Sequence, residues 1–447
     1  MCKRKLDKYQ LKAIKSKRKI ILLLAGAGCG KTYTIVNKVR YMIENLGVKK
    51  EEIVCISFTN DSVNKLKKDL SDDKIEVLTF HKLALKIIGM QKDVLTEDML
   101  TDVIIDSFSN NTLLGLYKMS KEDMVNLIKT FINLFKSNNY DIDRFYTFIN
   151  KAKDKEKYLL KEIMKCCICY ETYLNKENII DFNDMINLAI EKLDISKIRY
   201  KYIIIDEYQD ISYSKLMLVK KLVKLSNAHL FLVGDDFQSI YRFAGSNINV
   251  ITHIRRYFPL AKVIKLRRTY RNSKELIKIA GKFIMKNPYQ IRKRLISNIR
   301  CHNPVEIVYY NDLNYEINKI ISKDNIDDLL ILSRNNKDLE DLNIKNIKYN
   351  KMSVHKSKGL EAKYVFLINV NAQANGFPNR YVDHEVLRYV NNYREYYPYE
   401  EERRLFYVAL TRCIKKIYIF TCKDNESIFI KEIKKYSNVI VKNEIID

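Results

Sequence analysis

Residues 25–32 read AGAGCGKT and directly follow the apolar run 20–24, IILLL. An apolar strand that opens into a glycine-rich loop ending Gly-Lys-Thr is built to hold phosphate. The backbone N–H groups of Gly26, Ala27, Gly28, Cys29 and Gly30 converge on the phosphate oxygens, and the following helix turns its positive end toward them. Lys31 reaches the β and γ oxygens of a triphosphate, and the Thr32 hydroxyl holds Mg²⁺. Ala25 stands where the general pattern has its first glycine.

A second candidate stretch is 202–210, YIIIDEYQD. Asp206 is placed to bind the metal, directly or through water, and Glu207 to orient and deprotonate the attacking water. An Asp-Glu pair after a strand is often just an exposed loop. The phosphate loop opening the same sheet gives it weight. A third stretch, 233–245, VGDDFQSIYRFAG, is again a strand running into a polar turn. Gln238 suits γ-phosphate sensing, because an amide both donates to a phosphate oxygen and accepts from water. Tyr241 and Phe243 alternate with polar residues, as a base-stacking surface would and as ordinary core packing would.

These residues need a large scaffold, and 447 residues with 47% hydrophobic content supply one, enough for about three domains. The chain carries 80 Lys+Arg against 54 Asp+Glu, a formal charge of +26. Such an excess suits a polyanionic partner. AT-rich coding, visible as abundant Lys, Ile, Asn and Tyr, accounts for part of it. Nine scattered cysteines read as reduced and intracellular. That places the chain in a cytoplasm, whether a bacterial cytosol or a viral replication site, with the nucleus left open. Cys166, Cys167 and Cys169 cluster without a second CxxC or a His pair, which favours packing over metal. The basic start followed by an apolar run mimics a signal peptide, but that run is short and feeds straight into the phosphate loop. No run of eighteen apolar residues predicts a membrane span.

Short apolar runs interleave with helical periodicity. Strands are expected at 19–24, 53–58, 76–79, 202–206, 229–233 and 262–266, and in a second series at 305–309, 328–333, 364–369 and 417–421. This alternation argues for parallel sheets covered on both faces, and the two series for two α/β domains. Between the third and fourth strands, 82–178 is almost wholly helical in pattern, too long for a crossover and so an inserted helical subdomain.

DEYQD, VGDDFQSIYRFAG and the later EEERRLFYVALTR together resemble the UvrD/Rep/PcrA group of superfamily 1 DNA helicases, with motifs in the family's order from Leu6 to about residue 421. The resemblance implies two RecA-like P-loop domains with parallel sheets. The first would span 1–84 and 180–264, interrupted by the helical insertion at 85–179, and the second 265–447. It implies ATP and Mg²⁺ in the cleft between them. Gln10, in LDKYQLKAI, would read the adenine edge. Tyr270 would stack on adenine, with Arg271 beside the γ-phosphate and Glu361 toward the ribose. Arg412 would be the second arginine finger. Phe58, Thr59 and Asn60 resemble the first DNA-contact motif, Thr79, Phe80 and His81 the second, and His355 and Lys358 a third. Asp181 to Met185, DFNDM, resembles the segment preceding the metal strand.

Several departures bear on strand separation. The family's large 2B subdomain, which usually precedes residues 353–361 (SVHKSKGLE), is missing or vestigial near 350. Only 422–427 separates the last expected strand from the expected terminal helix, where many members extend a hairpin. Phe243 and Ala244 replace a common Trp-Arg, and Asp61 a frequent lysine. The basic runs 15–19 and 292–294 read as solvated helix faces, and the Tyr-rich stretch 389–399 as either a stacking or a packed loop. The implied activity is DNA-stimulated ATP hydrolysis driving 3′-to-5′ movement on single-stranded DNA and opening of single/double-strand junctions. The alternatives are a translocase that displaces proteins without strand separation, and an ATP-gated DNA clamp. The sequence names no protein partner.

Overall fold

The apolar run after the basic start becomes β1 (Ile20–Ala25), buried at every position but its first. Its alternate side chains enter two different cores, Leu22 and Leu24 one and Ile21, Leu23 and Ala25 the other, so both faces of the strand are buried and the run is continuously apolar rather than alternating. In the computed structural model, which describes residues 5–442 apart from 90–92, 96, 109, 345–346, 381–382 and 392–395, β1 is joined by β2 (Ile53–Ser57), β3 (Glu76–Thr79), β4 (Tyr202–Ile205), β5 (His229–Gly234) and β6 (Lys262–Leu266). Their order is β3-β2-β4-β5-β1-β6, and every pairing is parallel.

A second sheet contains β7 (Val305–Tyr309), β8 (Leu329–Ser333), β9 (Tyr349–Ser353), β10 (Ala362–Leu367), β11 (Cys413–Thr421) and β12 (Val439–Lys442). Its order is β12-β7-β11-β10-β8-β9, again all parallel. The two edge strands, β9 and β12, escaped the sequence reading. YNKMS carries polar residues mid-strand, and VIVK is only four residues long. β12 also corrects the expectation of a terminal helix, since the helix Ile428–Ile433 leads into a further strand.

Between β3 and β4 the chain is helical, from Phe80–Ile88 through Lys121–Ser137, Ile142–Lys151 and Asp154–Glu177 to Phe182–Lys192. Phe131, Phe135 and Phe145 stack at its centre, and the buried Cys166 and Cys167 lie in that same core. Side-chain oxygens begin these helices. Ser120, Asp141 and Asp181 each accept the N–H three residues on. The DFNDM segment thereby finds a structural role. Lys136, buried on the insertion, meets Glu171, Asp181 and Asp184 at 2.6, 2.7 and 2.6 Å, and Asp181 also accepts the Tyr170 hydroxyl at 2.8 Å. Among the described residues, no helix is long and apolar enough to cross a membrane.

The Lys136 cluster joins the insertion to the first lobe through buried charge. Lys136→Met leaves Asp181 and Asp184 without their cation, the exposed Glu171 being solvated, and should cost about 3–5 kcal/mol, seen as a lower urea midpoint. An unchanged midpoint would show that the cluster does not hold the insertion in place.

Candidate nucleotide cleft and nucleic-acid face

Because β4, β5 and β1 are adjacent, three loops leave their C-terminal ends side by side: 25–32, 206–210 and 235–239. Ligands of open α/β sheets bind at such ends. Gly28 and Gly30 adopt φ of +69° and +76°, the left-handed region that L side chains avoid. Gly30 caps the helix Lys31–Leu46, whose N-terminal N–H groups therefore face the loop. Gly28 has a second constraint. A Cβ there would lie 2.6 Å from both Arg271 Cβ and Thr269 Oγ1, because the second lobe's chain packs directly on the loop. Tyr270 N donates to the Gly28 carbonyl at 2.9 Å, and Thr269 Oγ1 to that of Ala27 at 2.9 Å.

Lys31 Nζ lies 2.6 Å from Glu207 Oε1. Glu207 sits at φ +50° on a non-glycine residue, a strained backbone of the kind found at working sites. Burial pushes its carboxyl up, but Lys31 and Lys358 outweigh that and hold it down at about 2. Asp206 goes the other way. Burial, then the neighbouring Glu207, raises it to about 6. Lys31 is itself held above its usual value, since Glu207 and Asp206 overcome the cost of burying it. Asp206 is buried, with Lys31 and Lys358 acting on its charge, and its Oδ1 accepts the Glu207 N–H at 2.9 Å, while Thr32 lines the cleft. A carboxylate and a hydroxyl are a donor set that suits Mg²⁺, which takes one or two protein oxygens and completes its shell with phosphate and water. Among the described residues, no group of three or more His, Cys, Asp or Glu is arranged to hold a metal by itself.

The second lobe supplies cations. Arg412, just before β11, is 1% exposed. Its guanidinium donates only to neutral acceptors: Val408 O at 3.1 Å, Ser357 O at 3.4 Å, Leu360 O at 3.2 Å and Gln238 Oε1 at 3.1 Å. Among the described residues it makes no ion pair. Burial, then the adjacent Arg271, pushes it down to about 9. It therefore stays charged at neutral pH, with Glu207 and Glu361 close enough to favour the charge but neither paired with it. Arg271 pairs with Glu361. Both arginines line a cleft of about 1340 Å³ together with Lys31, Thr32, Glu207, Gln238, Tyr270 and Glu361.

Gln238 is held from both sides, Nε2 donating to Asp235 Oδ2 at 2.7 Å while Oε1 takes Arg412. Asp235 and Asp236 are fully buried and share Lys293. The reading of 292–294 as a solvated helix face is therefore overturned at its centre. That segment is not helical, Ile291 N donates to Asp236 Oδ2 at 2.8 Å, and Leu295 packs against Gly26. The only sequence signal for Lys293 was the tandem carboxylates ending a buried strand, which require a cation. Gln209 was also missed. Its amide donates to Glu207 and accepts from Asp235 N at 2.9 Å, tying the ends of β4 and β5 together.

Two expected nucleotide residues sit differently. The Gln10 amide is buried, with Oε1 taking Asp7 N at 3.1 Å and Nε2 reaching Thr34 Oγ1 at 3.3 Å, so it adjoins the loop without lining the cleft. These bonds complete a helix-capping box. Tyr270 does line the cleft, its hydroxyl donating to Asp7 Oδ2 at 2.7 Å.

The aromatic candidates gather into one row across both lobes. Phe58 stacks on Tyr241 at 5.6 Å with planes 13° apart. Tyr241 meets Phe243 at 6.0 Å, and Phe243 meets His355 at 5.6 Å. Phe243 is 59% exposed. Thr59 and Thr79 cap the helices Asn60–Leu70 and Phe80–Ile88, and Asn60, the first helical residue, is exposed. His81 lies 4.8 Å from Phe182. Burial lowers His81 and His355 to about 4, leaving both rings neutral. Lys358 departs from the expectation of a nucleic-acid contact. Its ammonium turns between the lobes, onto Asp210 and, at 2.9 Å, the Gln238 carbonyl.

A phosphate loop, a carboxylate pair and arginines from a facing lobe are the parts from which two-lobed P-loop nucleoside triphosphatases are built. Residues 6–259 match the UvrD/REP helicase N-terminal domain, and 323–424 the UvrD-like helicase C-terminal domain. The ATP-dependent DNA helicase Rep of Buchnera aphidicola (Acyrthosiphon pisum) is 32% identical over 316 residues, covering 68% of this chain and 48% of that relative. DNA helicase IV of Escherichia coli is 26% identical over 96% of the chain and 70% of its own length. PcrA of Bacillus subtilis is 27% identical over 69% of the chain and 43% of its own. The chain belongs to the UvrD/Rep helicase family. It spans about half the length of the Rep relatives it matches.

Lys293→Met leaves Asp235 and Asp236 buried without a cation and should cost about 3–5 kcal/mol. Thermal and urea melts will read this as a lower midpoint, whereas a midpoint equal to wild type would mean that the two carboxylates have another counter-charge.

Proposed function

We propose that this protein is an ATP-driven motor on single-stranded DNA, hydrolysing ATP between its lobes and moving 3′ to 5′. The observation that carries this is the buried, charged Arg412, surrounded by neutral acceptors and opening on a cleft whose other wall is a phosphate loop. A γ-phosphate is an anion that would pair with it there. The polarity rests on the family resemblance.

In this reading an incoming triphosphate takes Lys31 from Glu207 and frees that carboxylate. Lys31 and Lys358 keep Glu207 ionised until then, and the loss of Lys31 leaves a carboxylate better able to orient water and accept its proton. Gln238 aligns the water, while Arg271 and Arg412 stabilise charge on the phosphoryl group. Mg²⁺, held by Thr32 and Asp206, would neutralise the β and γ oxygens. Tyr270 and Gln10 would face the base, the latter after exchanging its internal bonds. Hydrolysis removes the anion that both lobes grip, so the cleft reopens. Single-stranded DNA would lie along Phe58, Tyr241, Phe243 and His355, stacking its bases there. Its phosphates would meet the helix starts at Thr59, Asn60, Thr79 and His81.

A second reading, translocation that strips proteins without separating strands, is favoured by one observation. β9 follows β8 after only residues 334–348, leaving no room there for a 2B subdomain.

Lys31→Ala and Glu207→Gln should each lower DNA-stimulated ATP hydrolysis by roughly 10²–10⁴-fold. Wild-type protein should open a 3′-tailed duplex and not a 5′-tailed one. Hydrolysis by Glu207→Gln at the wild-type rate would remove the assignment of the base. ATP-dependent stripping of a bound protein with neither duplex opened would select the second reading.

A further inference from the structure

Residues 383–391 lie between β10 and the helix Glu400–Leu410, covalently part of the second lobe. Their single regular turn, Glu385–Tyr389, has Val386 and Leu387 buried, and Val390 follows it. These three side chains belong to the core of the helical insertion, not to that of their own lobe. Polar and ring contacts agree. His384 lies 5.1 Å from Tyr117, and Tyr389 lies 5.5 Å from Phe148. Arg388 Nη2 donates to Glu156 Oε2 at 2.7 Å, and the Tyr389 hydroxyl donates to the same oxygen at 3.0 Å. Asn138 Nδ2 donates to the Val390 carbonyl at 2.8 Å. At the near end, Asp383 pairs with Arg242 of the first lobe at 2.9 Å. The Arg388–Glu156 pair is too exposed on the arginine side to hold the segment. The three buried apolar side chains do that.

The connections form a ring running from the first lobe to the insertion, to residues 383–391, to the second lobe and back across the lobe interface. A cavity of about 1780 Å³ is lined by Tyr241, Phe243 and His355 together with Leu387, Arg388 and Tyr389. We infer that 383–391 is a further single-strand-binding element, a strap that turns the aromatic groove into a closed channel. The Arg388 guanidinium is about half exposed and available to a phosphate, and Tyr389 offers a ring to a base. The inference rests on the proposed single-strand path. It adds that a strand without ends enters only when the strap lifts off the insertion.

Full-length Tyr117→Cys/His384→Cys protein, bridged by a short bis-maleimide and compared with each single variant similarly treated, tests this with linear and circular single-stranded DNA. The bridged protein should bind the linear strand and lose affinity for the circle by roughly tenfold or more, through a slower association rate. Bridging after loading on the circle should leave a complex that survives high salt. As an independent check, Leu387→Ser should loosen the strap and speed release from the circle several-fold. Equal binding of both DNAs by the bridged protein, or release by Leu387→Ser at the wild-type rate, would overturn the strap. Failure of the unbridged protein to bind even the linear strand would overturn the single-strand path, and the strap with it.

Discussion

A buried guanidinium with no carboxylate partner is the constraint on which this architecture turns. Burying Arg412 among carbonyls and one amide is costly, and a nearby second arginine adds to the cost. Such a group is kept where an anion arrives to pair with it. The phosphate loop across the cleft supplies the matching half of the site. Each lobe alone therefore holds one part of the set, Lys31 and Glu207 on one and Arg271 and Arg412 on the other, and in the proposed function a triphosphate would complete both.

The loop after β5 carries that event into the second lobe. Phe237 and Ile240 leave the first sheet and join the second lobe's hydrophobic core. Phe237 meets Tyr407 edge-on at 5.3 Å, and the buried Arg404 donates to the Ser239 carbonyl at 2.6 Å. Gln238 lies between these anchors, and Tyr241, immediately after, opens the aromatic row and donates to the His355 carbonyl at 3.2 Å. In the proposed function, a shift of Gln238 toward a γ-phosphate would pull on the lobe interface and on the aromatic row through one short covalent stretch. Lys293 and Asp235 fix the fixed end of that lever.

Much of this was legible in the sequence because the chemistry is local. AGAGCGKT after an apolar strand announces both the loop and its strand, and the strand series gave two parallel sheets. The apolar residues Met124, Leu127, Ile128, Phe131, Ile132 and Phe135, at three- and four-residue steps, match a buried helix face. What the sequence hid depends on distant partners. Lys293 looked like one cation in a basic run, and its burial against Asp235 and Asp236 is a tertiary fact. Lys358 looked like a nucleic-acid contact and instead bridges Asp210 and Gln238. The edge strands β9 and β12 are paired on one side only, so their sequences carry less of the apolar signal that identifies an inner strand. Val386, Leu387 and Val390 drew no reading, because nothing local says that so short an apolar patch fills the core of another subdomain.

The central claim is that Arg412 is kept in its buried site for the γ-phosphate. Equilibrium binding of a non-hydrolysable ATP analogue and of ADP, to wild-type protein and to Arg412→Ala, tests it most directly. The account predicts that wild type favours the triphosphate, and that Arg412→Ala loses most of that preference, roughly tenfold or more, while ADP binding stays near wild type. An Arg412→Ala protein that folds and still prefers the triphosphate as strongly as wild type would contradict it.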